Sequence, residues 1–284
     1  MAPSEIVAGG AKRVRNRDLA RRLTAAVPYL VTNELLLEAL VLRGSVHEAS
    51  QEDFELDTVT DDELRWFYLR HMSDSGGGSR KQYERILAGA RYGLCSYCQY
   101  GQATTLDHVV PQTKVGGLAI TALNLVPACQ QCNKKLLDWQ PGTGADQMIH
   151  PYLEAVESRW LYAQVIEDGP GGLRFRADPS VDLDPALRAR VVAQFELLGL
   201  ELLFAGVSGR DLAEARSVVR GQDAGASGVE DARRQTTRSA IEVAQILMEE
   251  ANRSFAVDTN SRRGAAYEAL AQSEWFCAQG ASRR

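Results

Sequence analysis

The sequence predicts an α+β protein: a small, turn-rich, cysteine-stapled core flanked by mainly helical N- and C-terminal regions. Three observations predict it. Apolar residues recur at helical spacing through much of the first ninety residues and again through most of the last hundred. Four of the five cysteines fall in two C-x-x-C pairs, "CSYC" (Cys95, Cys98) and "CQQC" (Cys129, Cys132). Between those pairs the chain changes character, to Thr- and Val-rich strand signals broken by proline and glycine. The expected organisation is a helical region over 1–90, a core over 91–150, and a hairpin plus helices over 151–284.

In the first region, "RDLARRLTAAVPYLVTNELLLEALVL" has a helical apolar period, interrupted by Pro28, which should break or kink the helix. "TDDELRWFYLRHM" predicts a helix capped by Thr60, with acids in its first turn. The run "SDSGGGS" at 73–79 has the composition of a flexible connector, and "RKQYERILAGARYG" reads as a further helix leading into the first cysteine pair. In the middle, "TTLDHVV" reads as a strand ended by "PQTKVGG", and "CNKKLLDW" as a short helix starting just after the second cysteine pair. In the last region, "RWLYAQVIEDGPGGLRFRADP" predicts a hairpin turning over Asp168–Gly172. Helices are then expected in "PALRARVVAQFELLGLELLFAG", "RDLAEARSVVRG" and "VEDARRQTTRSAIEVAQILMEEANRSFAV", with "GQDAGASG" at 221–228 as a loop.

The net charge of −5 argues against a protein that coats nucleic acid over its whole surface. Charge is nonetheless uneven. "KRVRNRDLARR" (12–22) is basic and "EDFELDTVTDDE" (52–63) is acidic. These are either two solvated faces, or a basic arm for phosphates and an acidic face for a basic partner. No apolar run is long enough to span a bilayer, and the N-terminus lacks the apolar stretch of a signal peptide, so the expectation is a cytoplasmic protein without a membrane segment.

In a reducing compartment, paired C-x-x-C motifs favour a metal over disulfides. Each pair forms a tight knuckle aiming two sulfurs at one ion, and two knuckles supply the tetrahedral thiolate set of structural Zn²⁺. With all four positions taken by sulfur, no position is open for water or substrate. Cys277, alone near the C-terminus, reads as an ordinary apolar residue.

What lies between the knuckles carries the functional signal. "LDHVVPQ", the "GG" at 116–117, "LNLVPACQQCNKK" and the flanking cysteine pairs resemble, in order and spacing, the HNH endonuclease family. The resemblance implies a ββα-metal core, a hairpin joined to a short helix around one divalent cation, with a four-cysteine zinc staple. The family's third residue is often His; here it is Asn133, an H-N-N variant that retains an oxygen ligand. The resemblance further implies His108 as general base, and Asp107 and Asn133 as oxygen ligands to Mg²⁺ or Mn²⁺. Asn124 would tie the loop between the strands so that the His108 ring stays aimed. Lys134 and Lys135, expected to begin the last helix, and Lys114 in the loop are candidates for phosphate contacts. Adjacent side chains on a strand point to opposite faces, so Asp107 and His108 can share a site only at the strand's end.

The implied activity is metal-dependent hydrolysis of DNA phosphodiester bonds, as a nick or a double-strand cut. Two alternatives stay open: a catalytically inactive, zinc-stapled DNA-binding module, and an RNA-cleaving nuclease. The absence of an evident sequence-reading module suggests that a partner supplies targeting. An ATPase of a bacterial anti-phage system is one expectation, with 52–63 as its docking face, and a homodimer is compatible with cutting both strands. His150 in "HPYLEAVESRW" is expected to be a hydrogen-bonded packing residue, as are His47 and His71.

Overall fold

The computed structural model describes residues 1–169, 171–221 and 238–280. The chain divides into two compact units, Met1–Ala155 and Val156–Arg284. The loop expected at 221–228, and the first residues of the long helix expected after it, lie outside the described residues except for Gly221.

The first unit opens with α1 (Pro3–Ala11), α2 (Arg17–Ala25) and α3 (Val27–Leu42). Asn16 caps α2 by accepting the Asp18 and Leu19 N–H groups. Pro28 falls in the first turn of α3, where a missing N–H costs nothing, and the α2 and α3 axes are bent by 48° at the break. Only as this bent pair do they approach the apolar length of a membrane span; no single helix among the described residues is long and apolar enough to cross. After the short α4 (Gln51–Phe54) comes α5 (Asp61–Phe67), with Thr60 at its N-cap as expected and a capping box completed by Glu63. Thr60 Oγ1 accepts the Glu63 N–H at 3.3 Å, and the Glu63 carboxylate accepts the Thr60 N–H at 3.0 Å. The helix runs on as a wider π turn, Tyr68–Ser73, before α6 (Arg80–Ala88).

The "SDSGGGS" run is not a flexible connector. A Cβ on Gly77 would lie 2.3 Å from the His71 carbonyl oxygen, and one on Gly78 would lie 2.6 Å from the Gly9 carbonyl. Ser79 Oγ donates to the Ile6 carbonyl at 2.6 Å, and Arg13 donates to the Gly76 carbonyl at 2.7 Å. Gly78 is there for close backbone approach to α1 and Gly77 for approach to the His71 backbone, which composition cannot distinguish from slack.

The two charge runs answer each other. Arg22, from the basic run, makes a bidentate pair with Glu63, from the acidic one, at 2.5 and 2.7 Å. That pairing and the Thr60 N–H hold the Glu63 carboxyl down at about 2. Asp61 is buried, while Glu52, Asp53, Glu55, Asp57 and Asp62 remain exposed.

The core of this unit is one small antiparallel pair under the helices. β1 (Thr105–His108) pairs with β2 (Leu125–Ala128), in a register running from Thr105↔Ala128 to His108↔Leu125. Leu106 and Leu125 join Leu23, Leu30, Leu64, Phe67 and Met72 in one apolar cluster, so the hairpin is nailed to α2, α3 and α5 by hydrophobic burial. α7 (Gln130–Leu136) follows directly. It starts inside the second cysteine pair rather than after it, with Cys129 as its cap and Cys132 and Asn133 on the helix.

The second unit opens on a hairpin of β3 (Leu161–Ile166) and β4 (Gly172–Ala177), in register from Leu161↔Ala177 to Ile166↔Gly172. α8 (Pro185–Leu198) is capped by Asp184 and separated from α9 (Leu200–Ala205) by Gly199 in the left-handed region. α10 (Ser208–Gly221), α11 (Ala240–Val257) and α12 (Arg262–Gln272) complete it. α12, "RRGAAYEALAQ", carries few large apolar residues and so gives almost no periodic signal, yet Ala265, Ala266, Tyr267 and Leu270 are all fully buried in it. Small side chains let it lie close against its neighbours: a Cβ on Gly264 would overlap the Phe255 ring. Cys277 is buried, as expected.

Candidate functional site

The four sulfurs of Cys95, Cys98, Cys129 and Cys132 converge, all within 4.8 Å of one another and all on buried residues. Tetrahedral zinc with Zn–S bonds near 2.3 Å needs sulfurs roughly 3.8 Å apart; Cys98 and Cys129 are 4.0 Å apart. Each knuckle also presents a backbone N–H to sulfur, Gly101 to Cys98 and Cys132 to Cys129, both at 3.4 Å. Residue 101 has to be glycine, because a Cβ there would lie 2.9 Å from the Cys129 Cβ. Hydrogen bonds from Cys132 and Cys95 hold the Cys98 thiol down at about 4, and the same crowding pushes Cys132 up. Packing that favours one thiolate and penalises the next is relieved by a cation among the sulfurs. The donor set fits structural zinc, with no position left open.

The first knuckle docks on the hairpin through the Ser96 N–H, which donates to the Pro127 carbonyl at 2.9 Å. Opposite Pro127, the backbone of Leu106 turns outward and finds side chains. Its N–H donates to Tyr83 Oη at 3.1 Å, and its carbonyl accepts from Asn133 Nδ2 at 3.2 Å. A carbonyl only accepts, so the Asn133 amide is oriented with Nδ2 on Leu106 and Oδ1 left available. This contact brings the α7 side chain to the residue beside Asp107.

Asp107 and His108 lie on opposite sides of β1, as strand geometry requires. Asp107 is 5% exposed, and Tyr97 Oη donates to its Oδ2 at 2.9 Å. Burial pushes its carboxyl up to about 7, with the Tyr97 hydroxyl and the His108 N–H pulling the other way. The His108 ring sits on the other side, edge-on to Tyr68 at 4.6 Å, with Nε2 3.0 Å from the Ala119 carbonyl oxygen. Nε2 therefore carries the proton and Nδ1 the lone pair. Burial pushes the ring down to about 4, against the opposing pull of the Ala119 bond, so it is neutral at pH 7. Because His108 is the last pair of the ladder, both residues still border one small depression, walled also by Trp139, Met148 and Val46.

Asn124 is fully buried and spends its amide on the loop between the strands. Oδ1 accepts the Val110 N–H at 2.7 Å, and Nδ2 donates to the carbonyls of Val110 and Leu118 at 3.0 and 3.2 Å. The Leu118 bond fixes the backbone one residue before Ala119, the acceptor of the His108 ring.

Lys114, Lys134 and Lys135 are exposed. Lys134 and Lys135 do not begin the last helix; they lie in the final turn of α7, where cations complement the helix's own carbonyl end. A phosphate argument from a helix N-terminus does not apply to them. His150 is 2% exposed, with Nε2 on the Leu123 carbonyl at 3.0 Å and Nδ1 accepting the Tyr152 N–H at 3.3 Å. It fastens its own segment to the β1–β2 core. Four groups around the site went unread in the sequence: Tyr68, Tyr83, Tyr97 and the Ala119 carbonyl. Only Tyr97 had a visible signal, its place inside "CSYC".

One of the comparisons with known proteins falls on this segment. The HNH endonuclease family model matches residues 95–138. Protein ea31 of Escherichia phage lambda is similar, 23% identical over 239 residues that cover 81% of this chain and 78% of that one. No solved structure matches. The family match supports nuclease activity in general and implies DNA as substrate. Residues 95–138, from the first cysteine knuckle through α7, form an HNH endonuclease segment built on a four-cysteine cluster.

Proposed function

We propose that the chain is a divalent-metal-dependent endonuclease that hydrolyses DNA phosphodiester bonds, with His108 as general base. The observation that carries this is the His108 ring: neutral, its tautomer set by Ala119, with the Nδ1 lone pair left to take a proton from water. Asn124 acts through the loop, keeping Ala119 where the ring needs it. Asp107 and Asn133 would hold one Mg²⁺ or Mn²⁺ through oxygen, the donor type hard cations take. When bound, that cation supplies stabilisation of charge on the phosphate and on the leaving 3′-oxygen. The four cysteines would hold Zn²⁺ away from the chemistry, as a staple. Lys114, Lys134 and Lys135 are positioned on the surface to meet flanking phosphates without reading sequence. Targeting by a second protein, such as an ATPase of an anti-phage system, would use the exposed remainder of the acidic run, Glu52, Asp53, Glu55, Asp57 and Asp62. Four cysteines outside any disulfide persist in a reducing compartment, so we propose the cytoplasm as the site of action.

The test is cleavage of supercoiled plasmid by the purified chain with Mg²⁺ or Mn²⁺. Wild type should nick or linearise it, and His108→Ala should lose at least about 100-fold in rate. Intact plasmid with wild type under every condition, or equal cutting by His108→Ala, would sink the nuclease reading in favour of a binding module. Labelled RNA in a parallel reaction separates the two nucleic acids.

A further inference from the structure

We propose that Tyr97 is a positioning residue, linking the cysteine cluster to the Asp107 carboxylate and fixing the orientation in which that carboxylate meets a divalent cation. The inference rests on the nuclease reading in one respect: it takes Asp107 as a cation ligand.

Both ends of the Tyr97–Asp107 hydrogen bond are anchored. Tyr97 stands between two of the clustered cysteines, and the neighbouring Ser96 N–H holds the same knuckle to the Pro127 carbonyl. Its ring is 4% exposed. Asp107 is held by pairing with Val126 in the middle of the β ladder. A carboxylate on a fixed backbone can still turn about its last torsion, which is broad. The Tyr97 hydroxyl, 2.9 Å from Oδ2, restricts that freedom, and the His108 N–H adds a second hold on the same carboxyl. On the α7 side, the Leu106 carbonyl orients Asn133 by engaging Nδ2. Each group is thus turned by hydrogen bonds from fixed neighbours, Asp107 by the knuckle and its own strand, Asn133 by the strand. The cysteine cluster is therefore more than a mechanical staple, since its first knuckle carries the side chain that aims Asp107.

The experiment measures Mn²⁺ binding to the full chain by electron paramagnetic resonance, with no nucleic acid present. Wild type should bind Mn²⁺ at a site that Asp107→Ala abolishes. Tyr97→Phe should weaken that site by about 10-fold or more, while zinc content and the thermal midpoint stay near those of wild type. In an Asp107→Asn background, adding Tyr97→Phe should change nothing further. Wild-type affinity in Tyr97→Phe overturns the inference alone, as does loss of zinc from that variant, which would make Tyr97 part of the staple's own stability. Mn²⁺ binding that is indifferent to Asp107→Ala overturns the inference and the cation site together. Plasmid cleavage by wild type then decides separately whether the chain is a nuclease.

Discussion

Five buried polar side chains of Met1–Ala155 are spent on backbone, whereas two ion pairs of Val156–Arg284 join charged side chains to each other. Asn33, Asn124, Gln147, His150 and Ser79 each bond to main-chain carbonyls or N–H groups, often far away in sequence. Asp211, 2% exposed, instead makes a bidentate pair with Arg262 at 2.5 and 2.7 Å, and Arg159 pairs with Glu268 at 2.6 Å. The difference follows from secondary structure. The segment around β1 and β2 has strands of four residues and long irregular loops, so many buried main-chain groups have no ladder partner and must be satisfied by side chains. Long helices satisfy their own backbone, and their buried polar groups serve to join one helix to another. An irregular backbone held by amides is also where a strand end can present an acid and a histidine around one depression.

The comparison can be broken most forcefully at the cysteine cluster. A zinc-selective chelator, or Cys129→Ser, should remove most of the stability of Met1–Ala155, since structural zinc contributes on the order of 10 kcal/mol. Limited proteolysis should then degrade that unit while the Val156–Arg284 fragment persists. Equal loss of both would show that the units do not stand separately. Next in size is the ion pair. Asp211→Ala removes the bidentate partner of Arg262 and should cost about 3 kcal/mol in chemical denaturation. Replacing both partners by apolar residues of similar volume should recover most of it.

The amide network should behave otherwise. Asn124→Ala leaves the buried Val110 N–H and carbonyl unmet, takes one of two donors from the Leu118 carbonyl, and should cost about 2–3 kcal/mol. Asn124→Asp should do little better, since a carboxylate cannot donate to the Val110 and Leu118 carbonyls. Recovery by any apolar replacement would contradict the contrast between the units. The smallest effect is the pH dependence at the partly exposed Arg22–Glu63 pair. The folded Glu63 carboxyl titrates at about 2, against an ordinary value of 4.5. Its contribution is therefore present above about pH 4.5 and lost as pH falls toward 2. Glu63→Gln should flatten that part of the acid-stability profile by an amount typical of screened surface pairs, and an unchanged profile would show that the pair contributes nothing.

Local chemistry made much of this readable in advance. Pro28 at a helix break, Thr60 at a cap, the turn of the second hairpin and the two C-x-x-C knuckles each act within a few residues, and each could be read from its neighbours. Three features could not. Gly77 and Gly78 look like slack in a one-dimensional chain, and their true use, close approach to the His71 backbone and to α1, exists only when those segments are beside them. α12 was invisible because it is buried through alanine and glycine, whose pattern carries little amphipathic signal. Lys134 and Lys135 were assigned to the wrong end of α7 because Cys129 is an uncommon cap.

By itself the sequence determined the α+β class, the four-sulfur cluster and the HNH pattern from Asp107 to Asn133, because spacing along the chain already dictates which atoms can meet. Tertiary structure alone decided that His108 carries its proton on Nε2, that Tyr97 engages Oδ2 of Asp107 and that the basic and acidic runs pair through Arg22 and Glu63. Each of these depends on a partner brought in from elsewhere: Ala119 from the loop, Tyr97 from the knuckle, α5 against α2. Burial and hydrogen bonding act on atoms in space, and that is where the site acquires its electrostatics.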